Sequence, residues 1–146
     1  MGSEMCIRDR TDAAGNTSSA SSTLSFTIET TPPTIAITSS ASSLKAGETT
    51  TVTFTLSESS TNFIEDDITV SGGALSSFSG SGTTYTATFT PTDDSTTNGV
   101  ISVASTKFSD AAGNSNADGS DTNNTLTLSV DTVSYTHLTL PTNREV

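Results

Sequence analysis

The sequence predicts an all-β protein, folded as a two-layer sandwich of about seven antiparallel strands. Three observations support this fold class. Apolar and polar residues alternate with a period of two, and no stretch has the period of an amphipathic helix. Clusters of Gly, Asn and Asp separate the alternating runs. The chain also contains 31 threonines, whose branched side chains suit strands.

Seven alternating runs are the predicted strands. In chain order, their apolar residues are Ile35 and Ile37; Val52, Phe54 and Leu56; Ile68 and Val70; Leu75 and Phe78; Tyr85, Ala87 and Phe89; Ile101 and Val103; and Leu126, Leu128 and Val130. Because alternate side chains share one face of a strand, each sheet has one buried face and one wet face, as in a sandwich. The predicted core comprises these residues without Leu75, Phe78 and Ala87.

Turn-forming sequences lie between the runs. They occupy residues 45–48, 71–73, 80–82, 93–94, 98–99 and 110–114. Each combines Gly, Asn, Asp or Lys in the short clusters that are typical of connections between strands.

Composition excludes several classes of protein. The 146 residues carry a net charge of −11 with only 5 Lys and Arg, so the basic surface of a nucleic-acid binder is missing. No apolar run approaches the roughly 20 residues of a membrane-spanning helix. Cys6 is the single cysteine, which excludes a disulfide framework, and His137 is the single histidine. We therefore expect a non-catalytic protein.

An internal repeat organises the chain. The sequence Asp-Ala-Ala-Gly-Asn occurs at residues 12–16 and again at residues 110–114, 98 residues later. Leu-Ser-Phe-Thr-Ile-Glu-Thr follows the first copy at residues 24–30, and Leu-Thr-Leu-Ser-Val-Asp-Thr follows the second at residues 126–132. A period near 100 residues is the size of one immunoglobulin-like (Ig-like) sandwich.

Several motifs together resemble the bacterial Ig-like repeats of large secreted and surface adhesins. They are Thr-Pro-Pro-Thr at 31–34, Leu-Lys-Ala-Gly-Glu at 44–48, Val-Thr-Phe-Thr-Leu-Ser-Glu at 52–58, Asp-Asp-Ile-Thr-Val-Ser-Gly-Gly at 66–73, Tyr-Thr-Ala-Thr-Phe-Thr-Pro at 85–91 and Phe-Ser-Asp-Ala-Ala-Gly-Asn at 108–114. The resemblance implies an Ig-like domain at residues 32–132. It implies that residues 11–31 are the last strand and linker of a preceding repeat. It also implies a location outside the cell or on the bacterial surface, with neighbouring repeats of the same chain as partners.

Both ends of the chain differ from the body in composition. Residues 1–10 and 133–146 contain every Cys, Met, His and Arg of the chain. They resemble translated sequencing-adapter read-through. We expect them to be disordered, non-native extensions without a function.

Acidic residues fall where the predicted strands end. In a seven-strand sandwich, the second–third and sixth–seventh connections share one pole with the start of the first strand. The residues predicted to meet there are Glu29, Glu58, Glu65, Asp66, Asp67, Asp110 and Asn114. Calcium binds six to eight oxygens of this kind. We predict a calcium site that stiffens the joint between repeats; the competing interpretation is an acidic, solvated rim.

A second acidic group falls at the opposite pole, where Asp93, Asp94 and Asp131 either bind another cation or form an ordinary Asp-rich turn. For the whole protein, we favour a spacer or stalk repeat of an adhesin. The alternatives are an accessory module of a secreted polysaccharide-degrading enzyme, with or without sugar binding, and a cell-binding tip domain. The residues do not indicate an adhesion ligand.

Overall fold

The computed structural model describes residues 11–19, 22–118 and 120–135. The chain divides after Thr30 into two compact units. The predicted extension 1–10 and residues 136–146 of the predicted tail lie outside the described residues. The part of that tail at 133–135 is exposed.

Seven strands form the second unit. They are β1 (Ile35–Ser39), β2 (Ser43–Lys45), β3 (Thr50–Ser60), β4 (Ile68–Ser71), β5 (Gly73–Pro91), β6 (Gly99–Val103) and β7 (Thr125–Asp131). One sheet has the order β1-β3-β5 and the other β2-β7-β6-β4. The helical content of the described residues is a single 3₁₀ turn, Glu65–Asp67, so no described helix is long enough to cross a membrane. The predicted all-β, two-sheet fold is confirmed.

Strand β2 is a correction to the predicted strand list, which placed Lys45 in a turn. After β1 the chain crosses to the other sheet, where Leu44 pairs with Val130 of β7 in parallel orientation. The side chain of Leu44 is buried there. Three residues are too few for an alternating pattern to reveal, and this one parallel pair departs from the predicted antiparallel arrangement.

Strand β5 is the second correction, because it contains two of the predicted strands. Its two halves lie side by side: a β-carbon at Gly73 would collide with the carbonyl oxygen of Thr90, and one at Gly80 with that of Thr84. Gly80 has a φ of 144°, which side-chain-bearing residues rarely adopt. The predicted turn at residues 80–82 is therefore the tip of a hairpin within one long element.

The core lies between the sheets and follows the predicted register. In β3, Val52, Phe54 and Leu56 are buried, whereas Thr51 and Thr55 are exposed. Eleven of the predicted core residues are buried, and Ile68, Val70 and Leu126 are half-buried against them. The residues that the prediction missed are Leu44, Phe63, Ala87 and Phe108.

An aromatic cluster at one pole explains two of these omissions. The ring of Phe63 lies 5.8 Å from Phe54, 5.1 Å from Tyr85 and 5.2 Å from Phe108, in edge-to-face geometry that favours such pairs. The hydroxyl of Tyr85 donates to the carbonyl oxygen of Ser60 at 2.9 Å. Phe63 and Phe108 are in loops, where no period of two marks them, and they fix both loops to the core.

In the first unit, residues 22–30 form no strand with other described residues. Their side chains are exposed, Leu24 by 74%, Phe26 by 57% and Ile28 by 71%.

Candidate functional site

Two loops meet at the pole that the sequence identified, which we call the joint pole. It comprises residues 61–67 after β3, residues 104–124 after β6, and residues 33–34 before β1. The side-chain amide of Asn62 donates to Ser109 Oγ at 3.2 Å, and the backbone N–H of Ser109 donates to Asn62 Oδ1 at 3.0 Å. The loops are thus joined through an amide and a hydroxyl, neither of which belongs to the predicted site.

The start of β1 is fastened to the same pole. The N–H of Ala117 donates to the carbonyl oxygen of Pro33 at 3.0 Å, and Ile35 N–H donates to Asp118 Oδ1 at 2.7 Å. Pro33 and Asp118 are both buried. Asp118 Oδ2 is also buried and accepts no hydrogen bond from the described residues. A residue that the sequence analysis missed therefore holds the entry to the sandwich.

Asn116 is the polar centre of the loop after β6. Its side chain is fully buried. Its Oδ1 accepts from the N–H groups of Lys107 at 2.7 Å and Phe108 at 3.0 Å, and its Nδ2 donates to Ala104 O at 3.0 Å. One side chain thus supplies partners to three backbone groups that no strand satisfies.

Asp110 and Asn114 of the predicted site close a loop upon themselves. The N–H and the Nδ2 of Asn114 donate to the two carboxylate oxygens of Asp110, each at 2.8 Å. Gly113 makes the turn with a φ of 94°. These hydrogen bonds, chiefly the one from the Asn114 side chain, lower the pKa of Asp110 despite an opposing effect of burial. Both carboxylate oxygens already have donors within the loop.

The first copy of this motif has the same geometry. The N–H of Asn16 donates to Asp12 Oδ1 at 2.9 Å, and its Nδ2 donates to Asp12 Oδ2 at 3.0 Å. Gly15 has a φ of 86°. The side-chain hydrogen bond from Asn16 lowers the pKa of Asp12. The five-residue motif is therefore a self-contained turn that forms in both copies.

The remaining predicted ligands have separate environments. Glu65 and Asp66 are exposed on the 3₁₀ turn, and Glu58 is half-buried on β3. Asp67 Oδ2 accepts from the N–H of Ile64 at 3.0 Å, which caps that turn. Glu29 belongs to the first unit.

No metal centre is formed by the described part of the sandwich alone. Within residues 11–19, 22–118 and 120–135, no group of three or more His, Cys, Asp or Glu side chains is placed to hold an ion. The calcium site was predicted at a joint that also includes Glu29, and it remains a prediction.

The opposite pole is organised by Thr132, which the sequence analysis did not single out. Its buried hydroxyl accepts from Ser95 N–H at 2.9 Å and donates to Thr92 O at 2.6 Å. The side chains of Asp93, Asp94 and Asp131 are exposed around it. These three side chains form an acidic rim around the end of β7, which the hydrogen bonds of Thr132 hold in place. A second cation site there also remains a prediction.

In a comparison with known protein families, residues 29–128 match the family model of the bacterial Ig-like domain. This match covers more than half of the chain. The chain belongs to the bacterial Ig-like domain family. The matched region includes all of β1 to β6 and ends within β7, so family and fold agree. No curated protein and no solved structure gave a significant match.

Family membership confirms the resemblance that the motifs indicated. A bacterial Ig-like domain is a structural repeat domain, and the geometry of both poles is consistent with that role. Four polar side chains hydrogen-bond to backbone groups at these poles: Asn62, Asn116, Asp118 and Thr132. Sequence patterns did not reveal them, because Asn, Asp and Thr occur in many of the loops of this chain.

Proposed function

We propose that the chain is a non-catalytic spacer repeat of a large extracellular bacterial adhesin. The observation that carries this proposal is the duplicated loop at residues 12–16 and 110–114, with the same hydrogen bonds in both copies. Each copy is followed by a segment in which apolar and polar residues alternate in the same order. A unit that recurs with its local geometry intact is typical of tandem arrays.

The connection between repeats supports a spacer. The hydroxyl of Thr132 is hydrogen-bonded within its own sandwich. Thr30 occupies the position in the first repeated segment that Thr132 occupies in the second. Pro33 is already fastened to the following sandwich. If Thr30 is held as Thr132 is, only Thr31 and Pro32 separate adjacent repeats. A connector this short, containing proline, restricts the angles that two neighbouring repeats can adopt.

An accessory module of a polysaccharide-degrading enzyme is the competing proposal, and sugar binding would require an exposed aromatic platform. On the described sandwich, Phe78 is the aromatic residue with a partly exposed ring, and it is stacked on Tyr85 at 5.6 Å. Depletion from suspensions of insoluble cellulose, chitin and xylan distinguishes the two functions. A spacer stays in the supernatant, whereas retention that Phe78→Ala abolishes would favour the accessory module.

Calcium at the joint is part of the proposal. Its support is that the loop carrying the exposed Glu65 and Asp66 meets, at the joint pole, the loop that carries Asp118, whose buried Oδ2 accepts no hydrogen bond from the described residues. Calcium that binds only the folded form would raise stability by about 2.7 kcal/mol at one hundred times Kd. Thermal unfolding with millimolar calcium or chelator tests this, with Glu65→Gln/Asp66→Asn at the joint pole and Asp93→Asn/Asp94→Asn as the opposite-pole control.

We expect calcium to raise the melting temperature of the wild type and the control, and not that of the joint-pole variant. Equal melting temperatures of the wild type with calcium and with chelator would show that the acidic rim binds no ion.

A further inference from the structure

The edge strands of the sandwich differ in how well they are protected from other chains. An unpaired edge is a template for pairing, which proteins block with short strands, charged side chains or covering loops. At β1, the N–H of Ile35 donates to Asp118 Oδ1. The N–H of Ile37 donates to the carbonyl oxygen of Asn123. The loop after β6 therefore covers the edge at β1.

The two edges of the four-stranded sheet are protected in other ways. Strand β2 has only three residues and ends with a charged one, Lys45. Strand β4 has four residues and directly follows the acidic turn Glu65–Asp67. Short strands and charges beside them both oppose pairing with another chain.

The outer half of β5 has none of these protections. Strand β5 is the last strand of the three-stranded sheet, and its second half pairs with β3 from Thr84 to Phe89. The first half, residues 73–79, is therefore the outer edge, and none of the described strands pairs with its outer side. Residues 68–92 contain no Asp, Glu, Lys or Arg, although the chain carries a net charge of −11.

Small side chains leave the backbone of this outer half accessible. Ala74 and Ser76 are exposed, whereas Leu75 packs against the core. Ser77 has a φ of 54°, a left-handed conformation that interrupts the extended backbone. The regular part of this half is thus residues 73–76, which we call the β5 edge. Its length limits a contact with another strand to a few hydrogen bonds.

We propose that the β5 edge is a self-association surface, which pairs in antiparallel orientation with the β5 edge of a second copy of this chain. An antiparallel pair of identical strands is self-complementary about a two-fold axis, so the same residues serve both partners. The lack of charge favours a second copy, because two acidic chains repel least where neither carries a charge. The two three-stranded sheets would then form one continuous sheet.

This inference goes beyond the spacer function, because it assigns a contact between separate chains. A single contact of this size is weak. In a tandem array, a step that rests on the proposed function, the repeats of two neighbouring chains would make many such contacts. Weak contacts made together would add as avidity and align the arrays side by side.

Sedimentation equilibrium of the full chain measures the association, under reducing conditions so that Cys6 forms no disulfide. We expect a mean mass that rises with concentration from that of a monomer toward that of a dimer. Ala74→Lys with Ser76→Lys places like charges opposite each other and should weaken association at least about tenfold. The matched control is Thr51→Lys with Thr55→Lys, which adds the same charge at exposed positions of β3, a strand paired on both sides. The control should associate as the wild type does.

Hydrogen exchange locates the contact in the unsubstituted chain, so this measurement does not depend on the folding of a variant. We expect the outward-facing amides among residues 73–76 to exchange more slowly as concentration rises. Protection of residues 24–30 instead would place the contact on the exposed apolar segment and overturn the proposal. Protection of the β5 edge that is independent of concentration would show that the chain already covers this edge, which also overturns it.

Three sedimentation results would contradict the inference. They are a wild type that stays monomeric at millimolar concentration, association that Ala74→Lys with Ser76→Lys retains, and equal weakening of both double variants, which would be an effect of net charge alone. If circular dichroism shows that the edge variant is unfolded, hydrogen exchange of the wild type decides. Retention on insoluble polysaccharide would overturn the spacer function and leave the measured pairing unaffected, so the two failures are distinguishable.

Discussion

At the scale of single residues, buried amides and carboxylates hold the loops of this sandwich. Asn116 satisfies three backbone groups in the loop after β6. We expect Asn116→Ala to lower the free energy of unfolding by about 2–3 kcal/mol, because buried donors lose their acceptor. Asn123→Ala removes an exposed amide of the same loop. This control should change the free energy of unfolding by no more than about 0.5 kcal/mol. Urea unfolding of both variants measures this, and equal stabilities would contradict the assigned role.

Asp110 gives stability a dependence on pH. The hydrogen bonds from Asn114 lower its folded pKa below that of the unfolded chain. The ionised carboxylate therefore stabilises the folded protein above about pH 4, and this contribution is lost as pH falls through the folded pKa. We expect Asp110→Asn to be less stable than the wild type at pH 7.

The difference between Asp110→Asn and the wild type should narrow below about pH 4, where the wild type loses its ionised acceptor. Asp66→Asn is the control for the loss of one exposed charge at this pole. Melting curves between neutral and acidic pH measure the difference, and a constant gap would contradict the role of the ionised side chain.

At the scale of elements, the register of β3 determines which of its side chains enter the core. Phe54 is fully buried and Thr55 is exposed. We expect Phe54→Ala to cost about 3–5 kcal/mol, and Thr55→Ala to stay within about 0.5 kcal/mol. Chemical denaturation of the two variants checks this, and the opposite order would place the wrong face of β3 inside.

The packing of the Phe89 ring requires glycine at two neighbouring positions. A β-carbon at Gly73 or at Gly99 would lie 2.5 Å from the Phe89 ring. We expect Gly99→Ala to cost about 1–3 kcal/mol through overpacking. Because the two sites share one contact, Gly99→Ala combined with Phe89→Leu should cost less than the sum of the single changes. Additive costs in a double-mutant cycle would show that the contact is unimportant.

Alternation along the chain predicted most of the fold, and the exceptions have physical causes. Each of β1, β3, β6 and β7 presents a simple inside–outside pattern, which fixes the register. Strand β2 is too short for a pattern, and β5 needed the contacts of Gly80 to be recognised as one folded-back element. Phe63 and Phe108 are buried from loops, where burial depends on tertiary contacts.

The candidate site was predicted at the level of loops rather than of residues. Chain reversal at each strand correctly placed the connections after β3 and β6 at one pole. It could not show that Asp110 is engaged by Asn114, or that Asn62 and Asp118 make the joining contacts. Side-chain partners across loops depend on distances that sequence spacing does not contain.

At the scale of the whole molecule, the proposed tandem array depends on a short connector between repeats. The carbonyl oxygen of Pro33 is hydrogen-bonded within the sandwich that follows the connector, and the hydroxyl of Thr132 is hydrogen-bonded at the end of its own sandwich. A tandem array would therefore have few residues at which it could bend. We therefore predict that neighbouring repeats are arranged in an extended series.

Small-angle X-ray scattering of chains with one, two and four head-to-tail copies of residues 31–132 tests this most directly. We predict a maximum dimension that increases by a constant step with each added copy. Replacing Thr31 and Pro32 by glycine should shorten the longer arrays while leaving the single repeat unchanged, since both residues are exposed and glycine removes the restriction on φ. A maximum dimension that grows only as the cube root of copy number, as in a compact globule, would contradict the spacer.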